Sequence, residues 1–543
     1  MLVKLLLLPV LTARVSAKNV KSPTPPMGWN TYNAYNCNPS EDRVKLNAQG
    51  LVDLGLRDLG YTIVTPDCGW NARTRDNQQR MQWNATLFPL GGKALGDYLH
   101  GLGLKFGLYS GAGYLQCGST DLPASLGYED IDAELFSDWG GDALKYDNCY
   151  ATSRTVMVDS SSAESQSPSR FQKMAASLDG VERDLNYFIC QWGIGENVGD
   201  WASEIGNTWR MSNDIYNAWR SIWRITNQVV PYYRHTRPGA FADMDMLLVG
   251  LNVLSPEEER FHFGMWAINK SPLMIGGILD RHLSNSSLAI LSNKEVIAIN
   301  QDPLAKQAQL VQRHTEEEFD IWMGELSDSR KVLGIANWRN TSQAVEFDLK
   351  NFNISSANKR DVWAAKSTDA ISGVQKIDLA GHEMKLWVLS NITSSAEGFA
   401  PSGYYEAANG VLKGSASIVS CPIGNCAPVQ RKVGNIQQNS NITIKGVSSK
   451  TSGKKLVGID FVNYDYAFST AWNWGTNTRN ATISVNGGRA KRWAFPLSGG
   501  NWFETGRLMV EMDGFKEGNG NEVVFGAAGN TFAPDLVGLE LFE

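Results

Sequence analysis

No stretch of the chain is apolar for long enough to cross a bilayer. The run from Leu5 to Leu11, behind Lys4, falls far short of the ~20 residues a span requires, and no later stretch qualifies. Basic residues are not in surplus either: 50 Lys and Arg stand against 56 Asp and Glu, a formal net charge of −6. Without a basic stripe the chain is a poor match for nucleic acid or an anionic membrane surface. Only six histidines occur, scattered and without an H-E-x-x-H pair, and none of the seven cysteines stands at a zinc-site spacing. These absences argue against a catalytic metal. No G-x-G-x-x-G follows the first predicted strand, which weakens a dinucleotide reading. Neither an internal repeat nor a low-complexity tract is present.

What is present describes a globular chain of 543 residues, 43% hydrophobic and 20% charged, long enough for two to four domains. Residues 1–17 read as a signal peptide, with Lys4, the short apolar run and the small-residue site Val15-Ser16-Ala17. Seven Asn-X-Ser/Thr acceptors follow, at Asn84, Asn285, Asn340, Asn353, Asn391, Asn441 and Asn480. Asn269 also fits but lies in an apolar segment before Ser271-Pro272 and is set aside. Together these features predict a secreted, extracellular glycoprotein. In an oxidising compartment Cys37, Cys68, Cys117, Cys149, Cys190, Cys421 and Cys426 should pair and leave one odd thiol.

From residue 18 to 300, short β-rich runs alternate with amphipathic helical stretches. The runs are Tyr61–Val64, Leu104–Tyr109, Asp142–Tyr146, Tyr187–Cys190 and Thr208–Met211; the helical stretches include Arg43–Leu59, Ile131–Trp139 and Phe171–Leu185. Ser255…Glu258 and Ser292…Glu295 read as capping boxes. Asp67, Tyr109 with Ser110, Asp147 and Gln191 follow or end successive runs, and Asp245 sits in another. Polar groups at the C-terminal ends of strands mark a (β/α)8 TIM barrel rather than a doubly wound sheet. Residues 301–392 change to alternation without long helices and read as an antiparallel β-domain. A Ser-rich linker, 393–400, leads to a Gly-, Asn- and Thr-rich unit, 401–543, read as a C-terminal β-sandwich module. The fold class expected is therefore α/β, a barrel followed by two β-units.

Glycosidic bonds are usually cut by a carboxyl group on each side of the anomeric carbon. Asp147, in Lys145-Tyr146-Asp147-Asn148-Cys149, ends a strand beside a cation that favours its ionised form, as a nucleophile needs. On residue type alone the commoner reading is an Asx-type loop residue capping the following turn. Asp214, in Trp209-Arg210-Met211-Ser212-Asn213-Asp214, lies on a loop after a strand, where a general acid can reach a leaving oxygen; on its own it reads equally as a helix N-cap.

Pro25-Pro26-Met27-Gly28-Trp29-Asn30, the Lys145–Cys149 run and the Arg210…Asp214 spacing resemble glycoside hydrolase family 27. So do Asp243-Met244-Asp245-Met246, Ser271-Pro272-Leu273-Met274 and Asn300-Gln301-Asp302-Pro303-Leu304. That family comprises retaining α-galactosidases and α-N-acetylgalactosaminidases on a (β/α)8 barrel. The resemblance implies Asp147 as nucleophile and Asp214 as acid/base, with no cofactor. It implies that Trp29 stacks on the sugar and that Lys145 binds ring hydroxyls, with Asp67, Tyr109, Arg210 and Asp245 lining the rest of the pocket. It also implies disulfides Cys37–Cys68 and Cys117–Cys149. Three departures accompany it. Pro66-Asp67 stands where two aspartates are common, removing one contact near O4 and O6 of galactose. Gln191 stands where Glu is common, and can still hydrogen-bond a 2-hydroxyl. The usual partner of Cys190 is absent, which makes it the odd thiol. No counterpart of the small residues that admit an N-acetyl group is evident, so galactose is favoured.

Tyr405-Glu406-Ala407-Ala408-Asn409-Gly410 and Ala533-Pro534-Asp535-Leu536 resemble the ends of carbohydrate-binding module family 35. That resemblance implies a structural calcium held by Glu406 and Asp535, although Ala408 stands where a second Glu is common. Cys421–Cys426 closes a local loop in this reading. Trp472, Trp474 and Trp502 are candidates for stacking on a sugar or for the module's core. The sequence thus predicts an exo-α-galactosidase acting on oligosaccharide or polysaccharide, with no nucleic-acid or membrane partner. A β-L-arabinopyranosidase, whose sugar lacks the C6 hydroxymethyl, and an inactive secreted glycan-binding protein are the alternatives.

Overall fold

The computed structural model describes residues 21–159, 163–193, 197–394, 400–465 and 476–543. The expected signal peptide, the middle of the expected linker, Trp472 and Trp474 lie outside them. Eight parallel strands come first: β1 (Met27–Asn30), β2 (Ile63–Thr65), β3 (Lys105–Gly111), β4 (Ala143–Asp147), β5 (Asn186–Ile189), β6 (Thr208–Arg210), β7 (Phe241–Asp243) and β8 (Leu273–Ile275). They pair in the order β7-β6-β5-β4-β3-β2-β1-β8. The sheet closes where Leu247, just beyond β7, bridges Ile275 of β8. Helices α1 (Glu41–Asp53), α2 (Gly91–Gly101), α3 (Glu129–Asp138), α4 (Ser167–Asp179), α5 (Val198–Ile205), α6 (Trp219–Val229) and α7 (Pro256–Ile268) follow β1 to β7 in turn. Helices α8 (Asn285–Leu291) and α9 (Lys294–Asn300) follow β8. This is a (β/α)8 barrel.

Local chemistry explains the elements. Strands β1, β2 and β6 are buried along their whole length, as parallel strands covered on both faces must be. Gly28 pairs with Ile63, and a Cβ there would lie 2.0 Å from the Ile63 carbonyl oxygen, so this motif position admits only glycine. Helix α1 starts where the Ser40 hydroxyl accepts the Arg43 N–H, and it buries Val44, Ala48 and Leu51 on one face. The capping box at α7 forms with Ser255 and Glu258. The second expected box does not. Ser292 ends α8, and Asn293 caps α9 by accepting the Glu295 and Val296 N–H groups at 3.0 and 3.2 Å. Asparagine at the N-cap satisfies two orphan donors, so serine is not needed there.

The second unit has strands β9 (Gln309–His314), β10 (Phe319–Leu326), β11 (Arg330–Asn337), β12 (Gln343–Asp348), β13 (Ser356–Asp361), β14 (Lys366–Ser372), β15 (Val374–Leu379) and β16 (Met384–Thr393). Six form a sheet in the order β14-β13-β16-β11-β10-β9, and β12 pairs with β15. Ile321, Leu333, Ile335 and Leu389 pack with Phe347 in the unit's own core. Trp322, Val332, Met384 and Leu386 face the other way and join the barrel core. The third unit is a sandwich of two antiparallel sheets, with β-strands from Pro401–Glu406 to Asp535–Phe542. Glu406 is ion-paired with Arg431 at 2.5 Å and Asp535 with Lys432 at 2.7 Å. Each carboxylate expected to hold calcium is thus neutralised by a protein cation, and this donor set does not fit the ion. Half-buried Trp502 lies under the Arg479 guanidinium, 4.6 Å from its ring.

The three units meet at Arg313 of β9, which is fully buried. Its guanidinium makes a two-pronged bond to Asp320 at 2.8 and 2.7 Å. It also donates to Asn227 Oδ1 of α6 at 2.8 Å and to the Ala494 carbonyl of the sandwich at 3.1 Å. One cation therefore ties together barrel, β-domain and module.

Candidate active site

The C-terminal ends of the barrel strands open into a cavity lined by Asp67, Tyr109, Lys145, Asp147, Arg210, Asp214 and Asp245. Asp147 is the last residue of β4 and is 6% exposed. Its Oδ2 accepts the Tyr109 hydroxyl at 2.9 Å and its Oδ1 accepts the Asn148 N–H at 2.9 Å. The Oδ1 bond runs to the adjacent residue and not to the N–H two residues on that defines an Asx turn, and the other oxygen is aimed by a strand residue. Burial pushes the Asp147 carboxyl up to about 6; Lys145 pulls it down, while Asp214 and Asp67 add to the rise. The favourable effect of Lys145 expected from sequence exists, and desolvation outweighs it. Tyr109 is pushed well above its ordinary value by burial and by Asp147, so it stays a donor.

Asp214 lies four residues beyond the end of β6, and Ala218, not Asp214, is the N-cap of α6. The helix-cap reading is excluded. Its Oδ1 accepts from Arg210 Nη2 at 2.9 Å, and the same guanidinium nitrogen lies 2.7 Å from Asp245 Oδ2. Asp245 has φ of 80°, a left-handed conformation that costs an aspartate energy. It is held there by its own bonds: Oδ2 accepts the Ile215 N–H, Oδ1 accepts the Met246 N–H, and its carbonyl accepts the Trp266 indole. Its N–H donates to Asp243 Oδ1 at 2.8 Å, and burial raises the Asp243 carboxyl to about 6. Asp67 Oδ2 receives Asn30 Nδ2 at 2.7 Å and Lys145 Nζ at 2.8 Å. Burial lowers Lys145, but Asp67, Cys190 and Asp147 more than reverse this, and it remains a cation.

Disulfides Cys37–Cys68 and Cys117–Cys149 tie neighbouring strand-end loops together at the rim; the second fixes the loop that follows Asp147. Cys421–Cys426 closes a short loop in the module. Cys190 is the free thiol, buried beneath Arg210, whose Nη1 lies 3.6 Å from its sulfur.

Two expected sugar contacts are corrected. Trp29 is fully buried, donates its indole N–H to the Gly277 carbonyl at 2.7 Å and does not line the cavity. Gln191 is also buried away from the cavity. Its Oε1 accepts the Gly193 N–H, and its carbonyl accepts Asn148 Nδ2, so it braces the loop that follows Asp147. Both sit one layer too deep because the β1 and β5 strand ends are roofed by the residues that follow them. Tyr32, Asn33 and Trp192 line the cavity instead. Asn33 Nδ2 and Trp192 Nε1 are buried and have no hydrogen-bond partner among the described residues. Their adjacency to Trp29-Asn30 and to Gln191 was the only signal the sequence held for them.

A (β/α)8 barrel whose strand ends gather carboxylates, two buried cations and orphan donors around one cavity belongs to a glycoside hydrolase. Comparison with known proteins narrows this. Residues 24–302 match the family described as "Alpha galactosidase A", and residues 316–389 match the "Alpha galactosidase C-terminal beta sandwich domain". The chain belongs to this α-galactosidase family. Similar proteins include probable α-galactosidase D of Aspergillus fumigatus, 37% identical with 96% of each chain covered. α-Galactosidase D of Emericella nidulans is 36% identical over 96% of this chain and 95% of its own. Among solved structures, α-galactosidase I of Mortierella vinacea has a TM-score of 0.65 and 33% identity, covering 70% of this chain and 100% of its own.

Proposed function

We propose that the protein releases terminal non-reducing α-D-galactose from oligosaccharides or galactomannan side chains by double displacement. A carboxylate oxygen of Asp147 attacks the anomeric carbon as the bond to the leaving oxygen breaks. The Asp214 carboxyl gives its proton to that oxygen. In the second step Asp214, now ionised, takes a proton from water as the water oxygen attacks the anomeric carbon and releases Asp147. Two inversions leave the anomeric configuration retained. The observation that carries this reading is that Asp147 and Asp214 face one cavity from β4 and from the loop after β6. Lys145 and Asp67 form a fixed donor–acceptor pair for ring hydroxyls. Asn33, with an unspent amide on the same wall, supports binding of the galactose side where Pro66 removes a carboxylate.

Export to the extracellular space belongs to the same proposal. No helix among the described residues is long and apolar enough to cross a membrane. Three disulfides and the exposed acceptors Asn285, Asn340, Asn353 and Asn391 suit an oxidising, glycosylating route. Asn84, Asn441 and Asn480 are half-buried, whereas the discounted Asn269 is fully buried. The substrate assignment is tested by comparing kcat/KM on 4-nitrophenyl α-D-galactopyranoside and 4-nitrophenyl β-L-arabinopyranoside. Preference for the galactoside is expected. Preference for the arabinoside would transfer the assignment to that sugar, and turnover of neither would leave glycan binding without catalysis.

A further inference from the structure

Helix α6 follows the loop that carries Asp214, and apart from the exposed Arg220 its polar residues do not face water. Arg224, Thr226, Asn227 and Gln228 are all buried, because the β-domain and the sandwich cover the side of the helix that a lone barrel would expose. Two of these side chains reach back to the loop. Gln228 donates through Nε2 to the Met211 carbonyl. Arg224 donates through Nη2 to the Asp214 carbonyl at 2.9 Å and to the Asn213 carbonyl at 3.3 Å. The loop between β6 and α6 therefore hangs from two side chains on one face of α6.

Both of those residues are gripped by one side chain of the C-terminal module. Asn477, 3% exposed and in a left-handed conformation with φ of 55°, donates through Nδ2 to Gln228 Oε1 at 3.0 Å and to the Arg224 carbonyl at 3.2 Å. An amide whose oxygen is engaged by Asn477 has only its nitrogen left to turn to Met211. The orientation of Gln228 is thereby fixed. Two more bonds hold the same helix: Leu497 N–H to the Asn227 carbonyl at 3.4 Å and Arg313 to Asn227 Oδ1 at 2.8 Å. Arg224 sits close to Arg210, and burial with that neighbouring charge lowers it to about 10. A buried cation beside a second cation needs an imposed position to stay there.

We propose that the β-sandwich module acts on catalysis through Asn477, a positioning residue that sets the acid/base loop by way of Gln228 and Arg224. The module is thus part of the machinery that aims Asp214, in addition to any glycan it binds. This rests on the assignment of Asp214 as the acid/base. Misplacing a proton donor by a fraction of a bond length weakens protonation of the leaving group while the nucleophile stays in place. The consequence is selective: substrates with poor leaving groups suffer and activated ones do not.

The test measures kcat/KM for the full-length protein and its Asn477→Ala variant on melibiose, a poor leaving group, and on 4-nitrophenyl α-galactoside, an activated one. The expected result is a loss of about tenfold on melibiose with the aryl substrate held within about twofold. Asn521→Ala is the control. Asn521 is equally buried in the module and donates to the Val447 and Lys516 carbonyls, so it weakens the sandwich without touching α6. It should lower both substrates alike or neither. Gln228→Glu, which keeps the acceptor for Asn477 and loses the donor to Met211, should reproduce the selective loss if Asn477→Ala does not fold. Equal losses on both substrates, or no loss, overturn the proposal. Asp214→Asn measured in parallel separates the two claims: without the leaving-group selectivity in that variant, the acid/base assignment itself fails.

Discussion

Asp147 is pulled in two directions by its surroundings. Burial and the neighbouring carboxylates favour the protonated form, while Lys145 and the Tyr109 hydroxyl favour the charged one. A nucleophile works only when ionised, so kcat/KM on the aryl galactoside is expected to fall as the pH drops through about 6. Asp147→Asn removes the nucleophile altogether and should cost roughly 10³-fold or more on both substrates, with a melting temperature no lower than the parent's because a buried charge is removed. At this scale the motif residues that bear charge were legible: Asp67, Lys145, Asp147, Arg210, Asp214 and Asp245 all reach one cavity. Trp29 and Gln191 were not, because a strand-end motif does not tell which of two successive residues faces the cavity and which the layer beneath it.

At the scale of elements, the helices and strands with a one-sided or fully apolar pattern were readable. Runs such as Asp142–Tyr146 and Thr208–Met211 reappear within a residue as β4 and β6. Strands β13, β14 and β15 carry little apolar pattern to read, and β14 buries only Ile371. Their hydrogen-bonding neighbours, rather than their own sequence, hold them in the sheet. Helix α6 posed the opposite difficulty: Arg224, Asn227 and Gln228 look like a solvated face and are buried by units far away in sequence. Arg313 belongs to the same contact. Arg313→Met would leave Asp320 buried and uncompensated, and about 3–5 kcal/mol of stability should be lost in denaturant unfolding. A loss below about 1 kcal/mol would mean that the ion pair contributes little at this junction.

For the molecule as a whole, the change after Asn300 from alternating helices and strands to strands without long helices is one that the sequence displays. The way the three units pack does not appear there, since it depends on Arg313, Asn227, Ala494 and Asn477 being brought together from three distant stretches. The barrel core continues into Trp322, Val332 and Leu386 of the second unit. Shared burial of this kind makes domains unfold together. Calorimetry should therefore record one dominant thermal transition, and three separated ones would show that the contacts are superficial. Calcium should leave that transition where it is, because Glu406 and Asp535 are held by Arg431 and Lys432. A rise in melting temperature on adding calcium would contradict those pairings.

The assignment of Asp147 as the nucleophile of a retaining enzyme is tested most directly by trapping the glycosyl-enzyme. The protein is incubated with 5-fluoro-α-D-galactopyranosyl fluoride, its intact mass is recorded, and the labelled peptide is sequenced. One fluorogalactosyl group esterified to Asp147 is the predicted result. A label on Asp214, Asp243 or Asp245, or no label while NMR finds β-galactose as the first product, would contradict it.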